Sequence, residues 1–86
     1  MVTNMKELFQ WKWGFNDDIS KWDVSSVTNM NSMFNQTPFN GDISGWNVSN
    51  VTNMYSMFSS TPFNGDIYRW NILPTCNNIT DLMFNM

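Results

Sequence analysis

The fold of this chain is decided by residues 15–34, which read FNDDISKWDVSSVTNMNSMF and return at residues 39–58 as FNGDISGWNVSNVTNMYSMF. A third copy opens with Phe63, and the Val-Thr-Asn-Met part of the motif also stands ahead of the first copy, at residues 2–5. Self-similarity at a fixed period is the signature of a tandem-repeat protein. The sequence therefore indicates repeats of 24–25 residues.

The whole chain of 86 residues is expected to form one repeat domain. A unit of this length cannot bury its apolar side chains alone, so neighbouring units must cover them. We divide the domain into a partial unit 1–14, units at about 15–38, 39–62 and 63–78, and a partial unit 79–86.

Each unit contains two apolar patterns. Trp46 and Val48 alternate with small or polar residues, which is typical of a short strand with one buried face. The following apolar residues recur at offsets of three and four, which favours a short helix near 51–59, ended by the Thr61-Pro62 pair. These patterns predict an α/β repeat solenoid with leucine-rich-repeat-like coils, each made of a short parallel strand and a short helix.

Composition excludes several functions. The net charge is −3 with four basic residues, so a phosphate backbone is an unlikely partner, and no segment is apolar enough to span a membrane. The chain contains no His, and its single Cys, Cys76, has no base to activate it. We therefore predict a protein that is not an enzyme and holds no cofactor or metal.

Three columns of residues recur in register. The aspartates at 18, 42 and 66 favour a turn-closing role, and cation binding is the alternative left open. The Trp column and the Met pairs follow apolar spacing and are expected in the core. The Asn column at 16, 40 and 64, and the pair Asn29 and Asn53, could form hydrogen-bonded ladders.

The residues that flank the Trp and Val positions differ from one unit to the next. On a strand they would point outward, and repeat proteins build their binding surfaces on such a face. We predict that any ligand contact involves Lys21, Asp23, Ser25, Gly45, Asn47, Ser49, Tyr68, Arg69 and Asn71.

The motif Phe-Asn-x-Asp-Ile-Ser-x-Trp-x-Val-Ser-x-Val-Thr-Asn-Met-x-x-Met-Phe resembles the 25–26-residue bacterial surface-protein repeat, also called BspA-like, found in mycoplasma and Listeria surface proteins and lipoproteins. The resemblance is close over residues 15–72 and partial at both ends. It implies a leucine-rich-repeat-like solenoid and exposure at a cell surface, and it supplies no active site.

The function expected from these observations is non-catalytic binding or adhesion, with a protein or host-surface ligand as partner. The alternative is a structural role in which incomplete terminal coils associate into a homo-oligomer. The resemblance implies a cell-surface or extracellular location. The segment from Met1 to Phe9 has no signal-peptide pattern, which leaves a cytoplasmic location open.

Overall fold

The three copies of the Thr-Asn-Met motif lie next to one another. The computed structural model describes residues 2–63, Ile67 and Trp70. Asn4 forms a parallel bridge with Asn29, and Asn29 forms another with Asn53. We count the repeats from the threonine of each motif, so that the first repeat begins at Thr3, the second at Thr28 and the third at Thr52. Equivalent positions are thus 25 and then 24 residues apart.

After each bridge the chain forms a row of β-turns rather than a helix. In the second repeat, the N–H groups of Met33, Asn35 and Thr37 donate to the carbonyl three residues earlier. The same three bonds occur in the first repeat and in the third. We call residues 5–12, 30–37 and 54–61 the three turn rows.

Left-handed residues recur inside the turn rows. In the second row Ser32 has φ 56° and Gln36 has φ 64°, and the equivalent residues of the other two rows are also left-handed. Each of them is the third residue of a hydrogen-bonded turn, where positive φ is the mark of a type II turn. A right-handed helix cannot contain such residues, so the turn rows differ from the helix that the apolar spacing predicted.

The remaining N–H groups of each row connect it to the next repeat. Met30, Ser32, Phe34 and Gln36 donate to carbonyls of the third repeat at distances of 2.8–3.0 Å, and the first row donates to the second in the same register. Alternate N–H groups therefore serve the turn and the neighbouring repeat, which satisfies the main chain without helix or strand.

The predicted α/β solenoid with leucine-rich-repeat-like coils is wrong. The described residues contain no helix and no strand longer than an isolated bridge. Turns and loops form a compact globule with principal extents of 30 × 26 × 22 Å. The Trp46–Val48 segment predicted as a strand is a loop, and pairing between repeats runs instead through the residues predicted as helix. No helix in the described part of the chain is long and apolar enough to cross a bilayer.

The second half of each repeat consists of separate turns. The N–H of Trp46 donates to the Ile43 carbonyl, and that of Val51 donates to the Val48 carbonyl. Equivalent turns lie at 19–22 and 24–27, and the N–H of Trp70 likewise donates to the Ile67 carbonyl. The indole Nε1–H of Trp46 donates to the Ile19 carbonyl of the preceding repeat at 3.1 Å, and Trp70 does the same to Ile43 at 2.9 Å.

Phenylalanine rings fill the centre of the molecule. Phe34 is fully buried and stacks on Phe39 at 4.4 Å within its own repeat. It also faces Phe58 at 5.6 Å and Phe9 at 5.7 Å in the two neighbouring repeats. Met30, Met33, Met54 and Met57 are fully buried around these rings, which confirms the core role predicted for the Met pairs. Burial of large apolar side chains is the main contribution to folding here.

Candidate binding surface

Six of the nine residues nominated for binding are described, and they lie on or between two turns of the first repeat and two of the second. We call the described members the polar surface: Lys21, Asp23, Ser25, Gly45, Asn47 and Ser49. Lys21, Asp23, Gly45 and Asn47 are exposed, whereas Ser25 and Ser49 are half-buried. They stand on turns and not on the face of a sheet, which corrects the geometry that the sequence predicted. Tyr68, Arg69 and Asn71 lie outside the described residues.

Short hydrogen bonds fix the main chain beneath the polar surface. Asp23 Oδ1 accepts from the Ser25 N–H at 3.0 Å and from its hydroxyl at 2.6 Å. In the second repeat, Asn47 Oδ1 accepts from the Ser49 N–H at 3.1 Å. The Asn50 amide donates to the Ser25 carbonyl at 2.8 Å and connects the two turns. The polar surface therefore presents different side chains on a fixed main chain.

The aspartate column closes turns in the same way. Asp18 Oδ1 accepts from the Ser20 N–H at 3.0 Å, and Asp42 Oδ1 accepts from the N–H and hydroxyl of Ser44 at 3.0 and 2.7 Å. These bonds confirm the turn-closing role predicted for Asp18 and Asp42. Asp66 lies outside the described residues.

Hydrogen bonding lowers the pKa of three carboxyl groups. The Ser44 hydroxyl, followed by the Ser44 N–H, holds the pKa of Asp42 below its usual value. The pKa of Asp23 is lowered by the hydroxyl and then the N–H of Ser25. For Asp18 the Ser20 N–H has the largest effect. Donors that favour the charged form lower a pKa, so these aspartates are anionic at neutral pH.

The Asn pairs are arranged differently from the predicted side-chain ladder. Asn29 Oδ1 accepts from the Asn31 N–H at 2.9 Å, and Asn53 Oδ1 accepts from the Tyr55 N–H at 3.0 Å. Each amide therefore closes a local turn, and the contact between Asn29 and Asn53 is a main-chain bridge. The column that contains Asn16 and Asn40 does link two repeats, because the Asn40 N–H donates to Asn16 Oδ1 at 3.0 Å.

A second candidate surface lies at the outer side of the first repeat. An apolar recess there is lined by Val2, Asn4, Met5, Leu8, Trp22 and Asp23. Trp22 is 42% exposed, so the expectation that the whole Trp column is buried is wrong at this position. Trp46 and Trp70 are buried, as predicted. We call Val2, Leu8 and Trp22, with the main chain of residues 4–10, the open end.

Sequence reasoning did not identify the side chains of the open end. The repeat register could have found them, because Leu8 aligns with Met33 and Met57, which are core residues. Trp11 and Trp13, which are 61% and 73% exposed, were also missed. They stand around the position where the first repeat has one residue more than the second.

The described residues contain no group of three or more His, Cys, Asp or Glu side chains placed to hold a metal ion. The recurring turns and hydrogen bonds of the polar surface are those of a tandem-repeat protein. The sequence profile of a family described as "Mycoplasma protein of unknown function, DUF285" matches residues 1–86. The chain belongs to this family. No curated protein and no solved structure matches the chain.

Proposed function

We propose that this protein is a non-catalytic binding module that contacts its partner through the polar surface. The observation that supports the proposal is the combination of a fixed main chain with variable side chains. Equivalent positions carry Lys21 and Gly45, or Asp23 and Asn47, and the Oδ1 atom of Asp23 or Asn47 accepts from the N–H two residues later in both repeats. Changing side chains on a constant frame is how repeat proteins acquire binding specificity.

The partner that we propose is a protein at a host surface. Membership of a family described from mycoplasma agrees with this choice but gives no function. The polar surface combines one cation with carboxylate and amide groups, a mixture typical of the polar part of protein–protein interfaces. Electrostatic contacts there would set partner choice and association rate.

The binding proposal can be tested with extracellular-matrix proteins as probes. Immobilised fibronectin, laminin and collagen would be exposed to the full chain, and binding would be measured by surface plasmon resonance. We expect Lys21→Glu to weaken binding about tenfold or more, because it reverses an exposed charge in the polar surface. Lys12→Glu is the matched control, since Lys12 is also exposed but lies in the first turn row. Equal losses in both variants would contradict the assignment.

We propose that the protein is presented at the cell surface. Brief protease treatment of intact cells should then remove it while a cytosolic marker protein stays intact. Survival of the protein until the cells are lysed would refute this location.

A further inference from the structure

Five core positions of the motif are exposed or half-buried where the motif first occurs in the chain, and their equivalents at its later occurrences are buried. Val2 is 56% exposed, whereas its equivalents Val27 and Val51 are fully buried. Leu8 is 41% exposed, whereas Met33 and Met57 are fully buried. Trp22 is likewise exposed, whereas its equivalents Trp46 and Trp70 are buried. Phe9 and Phe15 are only partly buried. These positions are thus buried in the second repeat, which lies between the first and the third, and not in the first, which has one described neighbour.

Within the described residues, the main-chain carbonyls at the open end lack the hydrogen bonds that the equivalent carbonyls of the second repeat accept. The carbonyls of Asn29, Asn31, Met33 and Asn35 accept hydrogen bonds from the first repeat. Their equivalents are the carbonyls of Asn4, Lys6, Leu8 and Gln10, which accept none from the described residues. The indole Nε1–H of Trp22 also has no acceptor among the described residues, although the indoles of Trp46 and Trp70 each donate to a carbonyl of the preceding repeat.

We propose that the open end binds a second copy of this chain, which takes the position that a neighbouring repeat occupies between repeats of the same chain. The contacts between the repeats within the chain define the interface. N–H groups at alternate residues of the incoming copy would donate to the four carbonyls, and an incoming carbonyl would accept from Trp22 Nε1. Apolar side chains of that copy would cover Val2 and Leu8, as the neighbouring repeats cover Val27 and Met33. The recess shares Asp23 with the polar surface, but the assembly is argued from main-chain and apolar groups that the polar-surface proposal does not use.

The polarity of the main chain decides the symmetry of this assembly. Two open ends facing each other would bring the four carbonyls of one copy against those of the other, and these groups cannot pair. The Trp22 indole would be left as a donor on each side, so fewer hydrogen bonds could form than in a head-to-tail contact, and the geometry favours head-to-tail association. Such heterologous contacts leave one open end on every complex, so growth continues beyond the dimer.

Sedimentation velocity of the full chain under reducing conditions, from micromolar to near-millimolar concentration, tests the proposal. We expect the average mass to rise with concentration and to pass the mass of a dimer. Tryptophan emission should shift to shorter wavelength at the same time, as Trp22 becomes buried. A chain that stays monomeric over this range, or that stops at a dimer, would overturn the proposal.

Two variants of the open end separate this interface from any other contact. Leu8→Asp and Val2→Asp each place a charge in the recess and should lower the association constant at least tenfold. Gly14→Asp is the control, because Gly14 is exposed outside the open end and the polar surface, and an added Cβ meets no atom within 4 Å. Circular dichroism would check that each variant is folded. Association that persists in both folded open-end variants, or is lost equally in the control, contradicts the proposal.

Discussion

At the scale of single residues, left-handed conformations decide where the chain turns. Six non-glycine residues have φ between 55° and 65°, two in each turn row. This conformation costs a side-chain-bearing residue about 1–2 kcal/mol relative to the right-handed region. Surrounding packing and hydrogen bonds to the next repeat must offset that cost at every one of these positions.

The free-energy cost of a left-handed backbone predicts the effect of placing glycine in the second turn row. Gln36→Gly removes the left-handed penalty at φ 64° but adds chain entropy, so stability should be unchanged or rise by up to about 1 kcal/mol. Asn31→Gly is the control, because Asn31 is also a half-buried amide but has no positive φ, and it should lose about 0.5–1 kcal/mol. Urea unfolding measures both. Equal losses would show that the Gln36 backbone carries no strain.

Hydrogen bonding predicts the titration of the aspartates. Ser44→Ala removes the donor with the largest effect on Asp42, so the pKa of Asp42 should rise toward its ordinary value of about 3.9. Ser20→Ala should raise the pKa of Asp18 less, because the main-chain N–H dominates there and remains. Carboxyl carbon chemical shifts followed by NMR against pH would report both groups. A larger change at Asp18 than at Asp42 would contradict the assigned causes.

The same shifts fix the sign of a pH effect on stability. Because the folded pKa of Asp42 is depressed, the unfolded chain binds more protons between the two pKa values. The stabilisation is therefore complete above the unfolded pKa and is lost as the pH falls through the folded pKa. Removal of the Ser44 hydroxyl should reduce this loss in acid and leave the slope of stability near neutral pH unchanged.

At the scale of the turn row, a buried threonine holds the end of the second row and of the third in place. The Thr37 hydroxyl donates to the Phe34 carbonyl at 2.9 Å and accepts from the Phe39 N–H at 3.3 Å. Thr61 makes the equivalent two bonds in the third repeat. The Thr-Pro pair does end an element, as the sequence indicated, but that element is a row of turns.

This arrangement predicts the effect of removing one oxygen atom. Thr37→Val keeps the shape of the side chain but leaves the Phe39 N–H and the Phe34 carbonyl without this partner in a buried site. Stability should fall by about 1–3 kcal/mol. Thr37→Ser retains the hydroxyl and should recover most of the loss, as measured by thermal unfolding. A Ser variant as unstable as the Val variant would assign the effect to packing instead.

At the scale of the whole molecule, burial depends on the number of neighbouring repeats. Leu8 and Met33 occupy the same position in successive repeats, yet one is 41% exposed and the other is fully buried. The two residues belong to the same sequence motif, so the contribution of each side chain to stability depends on how many repeats surround it. Cavities cost stability only where neighbouring atoms surround the deleted group.

The difference in burial between Leu8 and Met33 predicts that truncation to Ala lowers stability by unequal amounts at the two positions. Met33→Ala should cost about 2–5 kcal/mol, because it opens a cavity between two repeats. Leu8→Ala should cost about 1 kcal/mol or less, because solvent already reaches that side chain. Urea unfolding at low protein concentration would keep the chain from self-association. A loss at Leu8 as large as that at Met33 would mean that the open end is covered in solution.

The sequence by itself determined the repeat, its period, the core residues Met30, Met33, Met54 and Met57, and the turns closed by Asp18 and Asp42. These features depend on local chemistry and on identical residues at a fixed spacing. The composition of residues 27–37 also indicates low helix propensity, because this segment is rich in Asn, Ser and Thr and contains no Ala, Leu, Glu or Lys. The binding residues remain a prediction.

The tertiary structure decided what the sequence could not. Apolar offsets of three and four fit a helix and a row of turns equally well, and the hydrogen bonds offered by the next repeat favoured the turns. Alternate N–H groups find carbonyls 23 or 24 residues away in sequence, which no local pattern reveals. Exposure of Trp22 and burial of Trp46 likewise follow from having one neighbouring repeat or two, because the same motif surrounds both residues.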